Sequence, residues 1–238
     1  MIDLQAASEL GITVSNQPGR TAGIVAEHIF GLMFAVAKRA AFQTSELKAG
    51  RWTRKENMFL QGKTLGIVGT GNVGSEVARL ANALGMKTLA WTYSPSAERA
   101  ARLRVQYVEL DELLRESDVV SLHVRLSDDS SGMIGRREIA LMKQGSLLIN
   151  AGRGELVDAE ALVESLNSGH LGGAGIDVFN VEPLPARHPI LSCDQVVLTP
   201  HIADQTPEGM ELLNEGVVTN LIEFLRGKPR NVVKPSVE

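Results

Sequence analysis

Only one cysteine, Cys193, occurs in the 238 residues. An internal disulfide is thereby excluded, as is a zinc site built on paired thiolates, and the pattern suits a reducing compartment such as the cytoplasm. Histidine is also scarce: the five are widely scattered, with no metal-ligand spacing. Aromatic side chains make up 4% of the chain. Positive charge is not in excess, since 24 Lys and Arg stand against 28 Asp and Glu for a formal net charge of -4. That balance argues against nucleic acid as a partner. Long apolar runs are missing too. The most apolar stretch, Ile29–Val36, is broken by Gly31 and flanked by Glu27, His28, Lys38 and Arg39. It falls well short of the roughly 20 apolar residues that cross a bilayer, and reads as a buried helix of a soluble protein. Met1-Ile2-Asp3-Leu4 lacks the basic start and apolar core of a signal peptide.

What is present is an alternation. Thr64–Val68, Lys87–Trp91, Val119–His123, Ser146–Asn150, Gly173–Val178 and Val196–Leu198 are continuous apolar runs, as expected of parallel strands covered on both faces. Helical patterns lie between them at Val73–Leu84, Ala97–Leu103, Asp111–Arg115, Arg136–Met142 and Ala159–Asn167. Strand and helix in turn predict βαβ units in an α/β fold with a doubly wound parallel sheet. Before this region come a short strand pattern at Ile12–Val14, a loop at Asn16–Arg20 and a long helix from about Thr21, its expected N-cap, to Arg39. After it, Pro207–Arg226 reads as a helix stopped by Gly227-Lys228-Pro229, and Asn231–Glu238 as an irregular tail.

The first strand runs into Gly69-Thr70-Gly71-Asn72-Val73-Gly74 and then into a helix. This G-x-G-x-x-G spacing has the strand–turn–helix context that binding a dinucleotide requires. Gly69 permits the tight turn, Gly71 lets a pyrophosphate approach the backbone and Gly74 lets helix and strand pack closely. Asn72 and Val73 open the helix, whose N–H groups and partial positive charge face the phosphates. The carboxylate expected at the end of the second strand, for the adenosine ribose, is absent. Thr92 stands there. A threonine can bond a ribose hydroxyl but does not repel a 2′-phosphate, so NAD and NADP both remain open as cofactor.

Three further segments follow strands of the second half, at the rim where an open α/β sheet binds its ligand. In Asn150-Ala151-Gly152-Arg153-Gly154 an arginine sits in a glycine-lined turn, and its planar fork suits a carboxylate or keto oxygen. A surface loop arginine is the plain alternative. In Gly175-Ile176-Asp177-Val178-Phe179-Asn180-Val181-Glu182-Pro183, Asp177 lies in apolar surroundings that demand a partner, such as a nicotinamide carboxamide. Glu182 comes just after the strand. In Thr199-Pro200-His201-Ile202, His201 is the natural proton donor and acceptor for alcohol–ketone interconversion, with Glu182 as the carboxylate that fixes its tautomer. His123, at the end of the third strand, is either a cofactor neighbour or a packed histidine. His28 reads as structural, and His170 and His188 as surface residues.

Taken together, the chain resembles the D-isomer-specific 2-hydroxyacid dehydrogenases, the family of phosphoglycerate, glyoxylate/hydroxypyruvate, D-lactate and formate dehydrogenases. The resemblance rests on Gly69–Gly74, His123, Asn150–Gly154 with Val157-Asp158, Gly175–Phe179, Glu182-Pro183 and Thr199–Ile202. It implies a Rossmann-type NAD(P)-binding domain and D-stereospecific hydride transfer between NAD(P)H and a small 2-keto or 2-hydroxy acid. Arg153 would bind the substrate carboxylate and carbonyl, His201 would be the acid/base and Glu182 its orienter. Gly69, Gly71, Asn72, Val73, Gly74, Thr92, His123, Ala151, Gly152 and Asp177 would line the cofactor, Asp177 at the nicotinamide. No metal is implied. Formate dehydrogenases are similar but carry glutamine where this chain has Glu182, which points instead to a hydroxy or keto acid.

The resemblance also implies a division into residues 1–20, a remnant of a flavodoxin-like substrate domain, residues 21–206 for the dinucleotide, and residues 207–238 returning toward the first part. Most of a family member's substrate domain would precede residue 1, so the chain reads as a piece of a longer protein or as one begun at an internal methionine. A catalytically incompetent fragment, or an NAD(H)-sensing scaffold that only binds cofactor, is the alternative. Ile29, Phe30, Met33, Phe34, Trp52 and Phe59 suggest more exposed apolar surface than a monomer carries, and hence a homodimer. The basic run Arg51, Arg54 and Lys55 is a solvated loop or, by the resemblance, part of that interface. Neither membrane nor nucleic acid is expected as a partner.

Overall fold

Successive side chains of a strand leave on opposite faces, so an uninterrupted apolar run needs cover on both sides. A computed structural model describes residues 2–234 and supplies that cover. Seven strands run parallel: β1 (Thr64–Val68), β2 (Lys87–Trp91), β3 (Gln106–Tyr107), β4 (Val119–Leu122), β5 (Leu147–Asn150), β6 (Gly173–Ile176) and β7 (Val196–Leu198). Their order in the sheet is β3-β2-β1-β4-β5-β6-β7. The chain leaves β1 toward β2 and β3, then crosses back to β4, so direction reverses between β1 and β4. The carboxyl ends of those two strands border the crevice where such sheets hold ligands.

The register splits the strand side chains cleanly. Leu65 and Ile67 of β1, Val119 of β4 and Leu147 and Ile149 of β5 join one core. That core is closed by α2 (Ala22–Ala37) and α4 (Asn72–Ala83). Val68, Val120, Leu122, Leu148, Ala174 and Ile176 join the other, closed by α6 (Leu110–Glu116), α7 (Arg136–Leu141) and α8 (Ala159–Ser168). The glycines of β6 serve α2: a Cβ on Gly173 would come within 2.6 Å of Val36 Cγ1, and one on Gly175 within 3.0 Å of Leu32 Cβ. The short helix α5 (Ala97–Leu103), capped by Ser96, leads from β2 to β3.

The chain divides into two compact units, Val25–Ala203 and Met1–Ile24 with Asp204–Glu238. The second contains α1 (Leu4–Glu9), capped by Asp3, and α9 (Pro207–Leu225), capped by Thr206 with a proline in the first turn. The strand expected at Ile12–Val14 does not form. The chain there joins only an isolated antiparallel bridge, Ser15 to Val232, with Asn16 N donating to Asn231 O at 3.0 Å and Val233 N to Val14 O at 2.9 Å. So few paired residues make no ladder. The same bridge gives order to part of the tail read as irregular, whose residues 235–238 lie outside the description.

Two α-helices and one strand were not foreseen: α1, α3 (Ala40–Lys48) and β3. The proposed exposed apolar surface also shrinks. Ile29, Phe30 and Met33 are buried inside the chain's own core, while Phe34, Leu47, Trp52 and Phe59 remain exposed. No helix among the described residues is long and apolar enough to cross a membrane.

Candidate active site

The glycine turn between β1 and α4 is tight on two sides and open on the third. Gly69 has φ 101°, and a Cβ there would sit 2.8 Å from the His123 carbonyl carbon. A Cβ on Gly74 would lie 1.9 Å from Gly69 O, so only glycine lets α4 start this close to β1. Around Gly71, by contrast, a Cβ would meet nothing within 4 Å. Gly71 is the N-cap of α4 and offers no side chain to the first N–H groups, and both it and Asn72 are exposed. Open backbone donors at the N-terminus of a 12-residue helix fit a pyrophosphate.

The ends of β2 and β4 flank this turn. Gly69 N donates to Trp91 O and His123 N to Val68 O, both at 2.7 Å. Thr92 follows β2 and is half-buried. The Tyr107 hydroxyl lies 2.6 Å from Thr70 Oγ1, joining β3 to the turn. The His123 side chain packs beside Gly74, with Cβ 3.4 Å from where that residue's Cβ would lie. Its Nε2 is buried and has no hydrogen-bond partner among the described residues. Burial pushes its pKa down to about 3, so the ring is neutral at pH 7.

Beyond β5, buried Asn150 clamps the turn that follows: its Oδ1 accepts from Gly152 N at 3.0 Å and its Nδ2 donates to Arg153 O at 2.8 Å. Ala151 and Gly152 are half-buried, and Arg153 is exposed with Nη1 donating to Gly152 O at 2.6 Å. The turn presses on the segment after β6, since a Cβ on Gly154 would come within 2.2 Å of the Phe179 carbonyl carbon.

That segment meets the one after β7. His201 Nδ1 lies 2.8 Å from Glu182 Oε2, and Glu182 Oε1 accepts from Phe179 N at 2.9 Å. Both side chains are open to solvent, at 48% and 36% exposure. The bond to the His201 ring holds the Glu182 carboxyl below its usual range. The Phe179 N–H and the charges of His201 and Arg153 add to the effect, against an opposing contribution from burial. His201 has φ 54°, a left-handed conformation uncommon for residues other than glycine.

Asp177, with no exposed surface, holds that conformation. Its carbonyl accepts from His201 N at 2.8 Å. Its Oδ1 accepts from Thr199 Oγ1 at 2.6 Å and Ile202 N at 3.0 Å, and its Oδ2 from Ala203 N at 3.1 Å. A buried carboxylate needs partners, of which a nicotinamide carboxamide was one expectation, and Thr199, Ile202 and Ala203 supply three from within the chain. His28, read as purely structural, reaches the same cluster from α2, with Nε2 3.1 Å from Thr199 Oγ1. His170 is not a plain surface residue either, because its Nε2 lies 3.0 Å from Ile139 O and its Nδ1 3.2 Å from Gln144 Oε1. His188 Nδ1 caps a short 3-10 turn by accepting from Ile190 N at 3.2 Å.

A glycine turn at the switch point of a parallel sheet, with an imidazole–carboxylate pair and an arginine turn at the same edge, defines a nicotinamide-dinucleotide oxidoreductase domain. Residues 30–203 match the family model described as D-isomer specific 2-hydroxyacid dehydrogenase, NAD binding domain. The chain belongs to that family, and its cofactor is NAD or NADP. It is 47% identical over 228 residues to a hydroxypyruvate reductase of Thermotoga maritima, covering 94% of this chain and 74% of that protein. The crystal structure of the TT0316 protein from Thermus thermophilus is similar with a TM-score of 0.90 and 39% identity, over 98% of this chain and 75% of that one. A D-lactate dehydrogenase from Aquifex aeolicus, complexed with NAD and lactic acid, gives a TM-score of 0.87 and 32% identity, over 99% and 77% of the two chains.

Proposed function

We propose that this chain reduces a small 2-keto acid to the D-2-hydroxy acid, and catalyses the reverse, with His201 as the acid/base. The observation that carries this reading is the 2.8 Å contact between His201 Nδ1 and Glu182 Oε2 at the carboxyl edge of the sheet. A bound nicotinamide dinucleotide supplies the hydride that the carbonyl carbon receives. The protein must then deliver a proton to the oxygen. With Nδ1 held by Glu182, His201 has Nε2 free to give that proton. Arg153 binds the substrate carboxylate and polarises the carbonyl, a task suited to its planar fork. The N–H groups of Asn72, Val73 and Gly74 take the pyrophosphate. Gly69, Gly71, Thr92, His123, Ala151 and Gly152 line the rest of the cofactor, and Asp177 sits at its nicotinamide end as the anchor of the His201 turn.

The same reading extends to assembly and organisation. Exposed Phe34, Trp52 and Phe59 support a homodimer formed through α2 and the loop after α3. Residues 1–20 and the C-terminal segment 207–238 belong with a substrate domain, residues 21–206 with the cofactor. A net charge of -4 and a single, buried thiol at Cys193 fit a cytoplasmic enzyme that has no nucleic-acid partner.

The experiment is a panel of 2-keto acids reduced with NADH and with NADPH, followed by pH–rate profiles of two variants on the best substrate. His201→Ala should lose roughly 10²–10⁴-fold in kcat. Glu182→Gln keeps an acceptor for Phe179 N but removes the carboxylate that holds His201 Nδ1, so the reduction rate should fall across the profile with cofactor affinity unchanged. A Glu182→Gln profile that overlays the wild type would sink the proposed pairing.

A further inference from the structure

The His201 turn is built on a carboxylate that never reaches solvent, and one residue from a distant helix touches its support. Thr199 Oγ1 lies 2.6 Å from Asp177 Oδ1 and 3.1 Å from His28 Nε2. A hydroxyl has one proton, and a carboxylate can only accept, so Thr199 gives its proton to Asp177 and has only lone pairs to offer His28. His28 Nε2 is therefore the N–H donor in this contact, with Asp177 Oδ1 also within 3.4 Å of it. No Lys or Arg side chain is paired with Asp177 among the described residues. Among the described residues His28 is thus the one basic side chain paired with this buried residue, whose three oxygens in turn hold the backbone N–H groups of His201, Ile202 and Ala203.

We propose that His28 is a positioning residue for the reaction. Its Nε2–H orients Thr199 and Asp177, which hold His201 in the left-handed conformation that sets Nδ1 against Glu182. This inference rests on the assignment of His201 as acid/base and adds to it a residue that does not touch the substrate. Loss of the donor should loosen the turn and misalign the pair without disturbing the glycine turn that takes the cofactor.

The test uses His28→Leu, which removes the donor, and His28→Gln, whose amide nitrogen reaches about as far as Nε2. His28→Leu should lower kcat for keto-acid reduction roughly tenfold, the size of one lost hydrogen bond in a charged network. KM and the affinity for NADH should stay within about twofold, and His28→Gln should recover most of the rate. In the Glu182→Gln background the His28→Leu effect should shrink, because the contact it protects is already broken. Nitrogen-15 NMR of the His201 ring reports on the same contact without turnover: its resonances should move in His28→Leu and return in His28→Gln. Unchanged His201 resonances in His28→Leu, or kcat losses that simply multiply in the double variant, would overturn the proposal. An inactive wild type with the expected NMR response would instead refute the assignment of function and leave the positioning contact standing.

Discussion

Acidification should expose His123 as a weak point of the fold. Its ordinary pKa of 6.5 is lowered to about 3 by burial. The unfolded chain therefore takes up this proton well before the folded one does. Stability from this source is complete above pH 6.5, falls as the pH drops below it, and stops falling near pH 3, where the folded ring is also protonated. At about 1.4 kcal/mol per pH unit, a drop from pH 7 to 4.5 removes about 2 to 3 kcal/mol, a large share of a domain's usual ~5–15 kcal/mol. The assay is urea unfolding at pH 7 and 4.5 of the wild type and of His123→Gln, a side chain of similar polarity that does not titrate. Other acid-sensitive groups act equally on both proteins and cancel in the difference. The variant should be less acid-sensitive than the wild type by about 2 to 3 kcal/mol. Parallel losses would show that the ring reaches solvent or a partner in the folded state, and the burial argument would fail.

Thr92→Asp should weaken NADPH binding at least about tenfold while changing NADH affinity little, because a carboxylate there repels a 2′-phosphate; fluorescence titration with both cofactors checks this. Gly74→Ala puts a methyl group 1.9 Å from Gly69 O, so α4 must shift away from β1, with a loss of several degrees in Tm and of most cofactor affinity; thermal melts with and without NADH measure both. Trp52→Asp, placed on a side chain 78% exposed in the chain alone, should convert a dimer to a monomer by sedimentation without lowering monomer helicity. A wild type that sediments as a monomer at high micromolar concentration would refute the dimer outright.

How much of this was legible in the sequence depended on range. The turn from β1 into α4 was readable because every constraint on it lies within a few residues: a strand end, three glycines at fixed spacing and a helix start. The end of α2 near Arg39 was readable, but α3 beyond it was not, because Ala40–Lys48 buries only Glu46 and so carries no apolar stripe. β3 is two residues long, too short to carry a pattern. The demand of Asp177 for a partner could be read from its apolar neighbours, but the partner could not. Thr199 lies 22 residues away and His28 is 171 residues from Thr199, so only the closed sheet brings them together. Of the six apolar residues expected at the surface, Ile29, Phe30 and Met33 went inside, because β6 presents glycines where α2 lands and the helix sinks onto the sheet.

Two carboxylates five residues apart therefore divide one task by their surroundings. Asp177 has no exposed surface and Glu182 is open to solvent, and that difference decides what each can do. A left-handed backbone at a residue other than glycine costs on the order of 1–3 kcal/mol and persists only where neighbours over-determine it. Asp177 supplies that excess through its four accepted hydrogen bonds, from His201 N, Thr199 Oγ1, Ile202 N and Ala203 N. Those to its carboxylate contribute about 1.5–3 kcal/mol each, enough to offset the strain. A carboxylate so enclosed is poorly placed to exchange protons with a substrate. Glu182 has the opposite character: open to solvent, it contributes little rigidity but holds His201 Nδ1 and leaves the ring exposed to whatever enters the crevice. Interchanging the two environments would leave an exposed anchor and a buried partner, so the turn would lose the bonds that over-determine it and His201 its open edge toward the crevice.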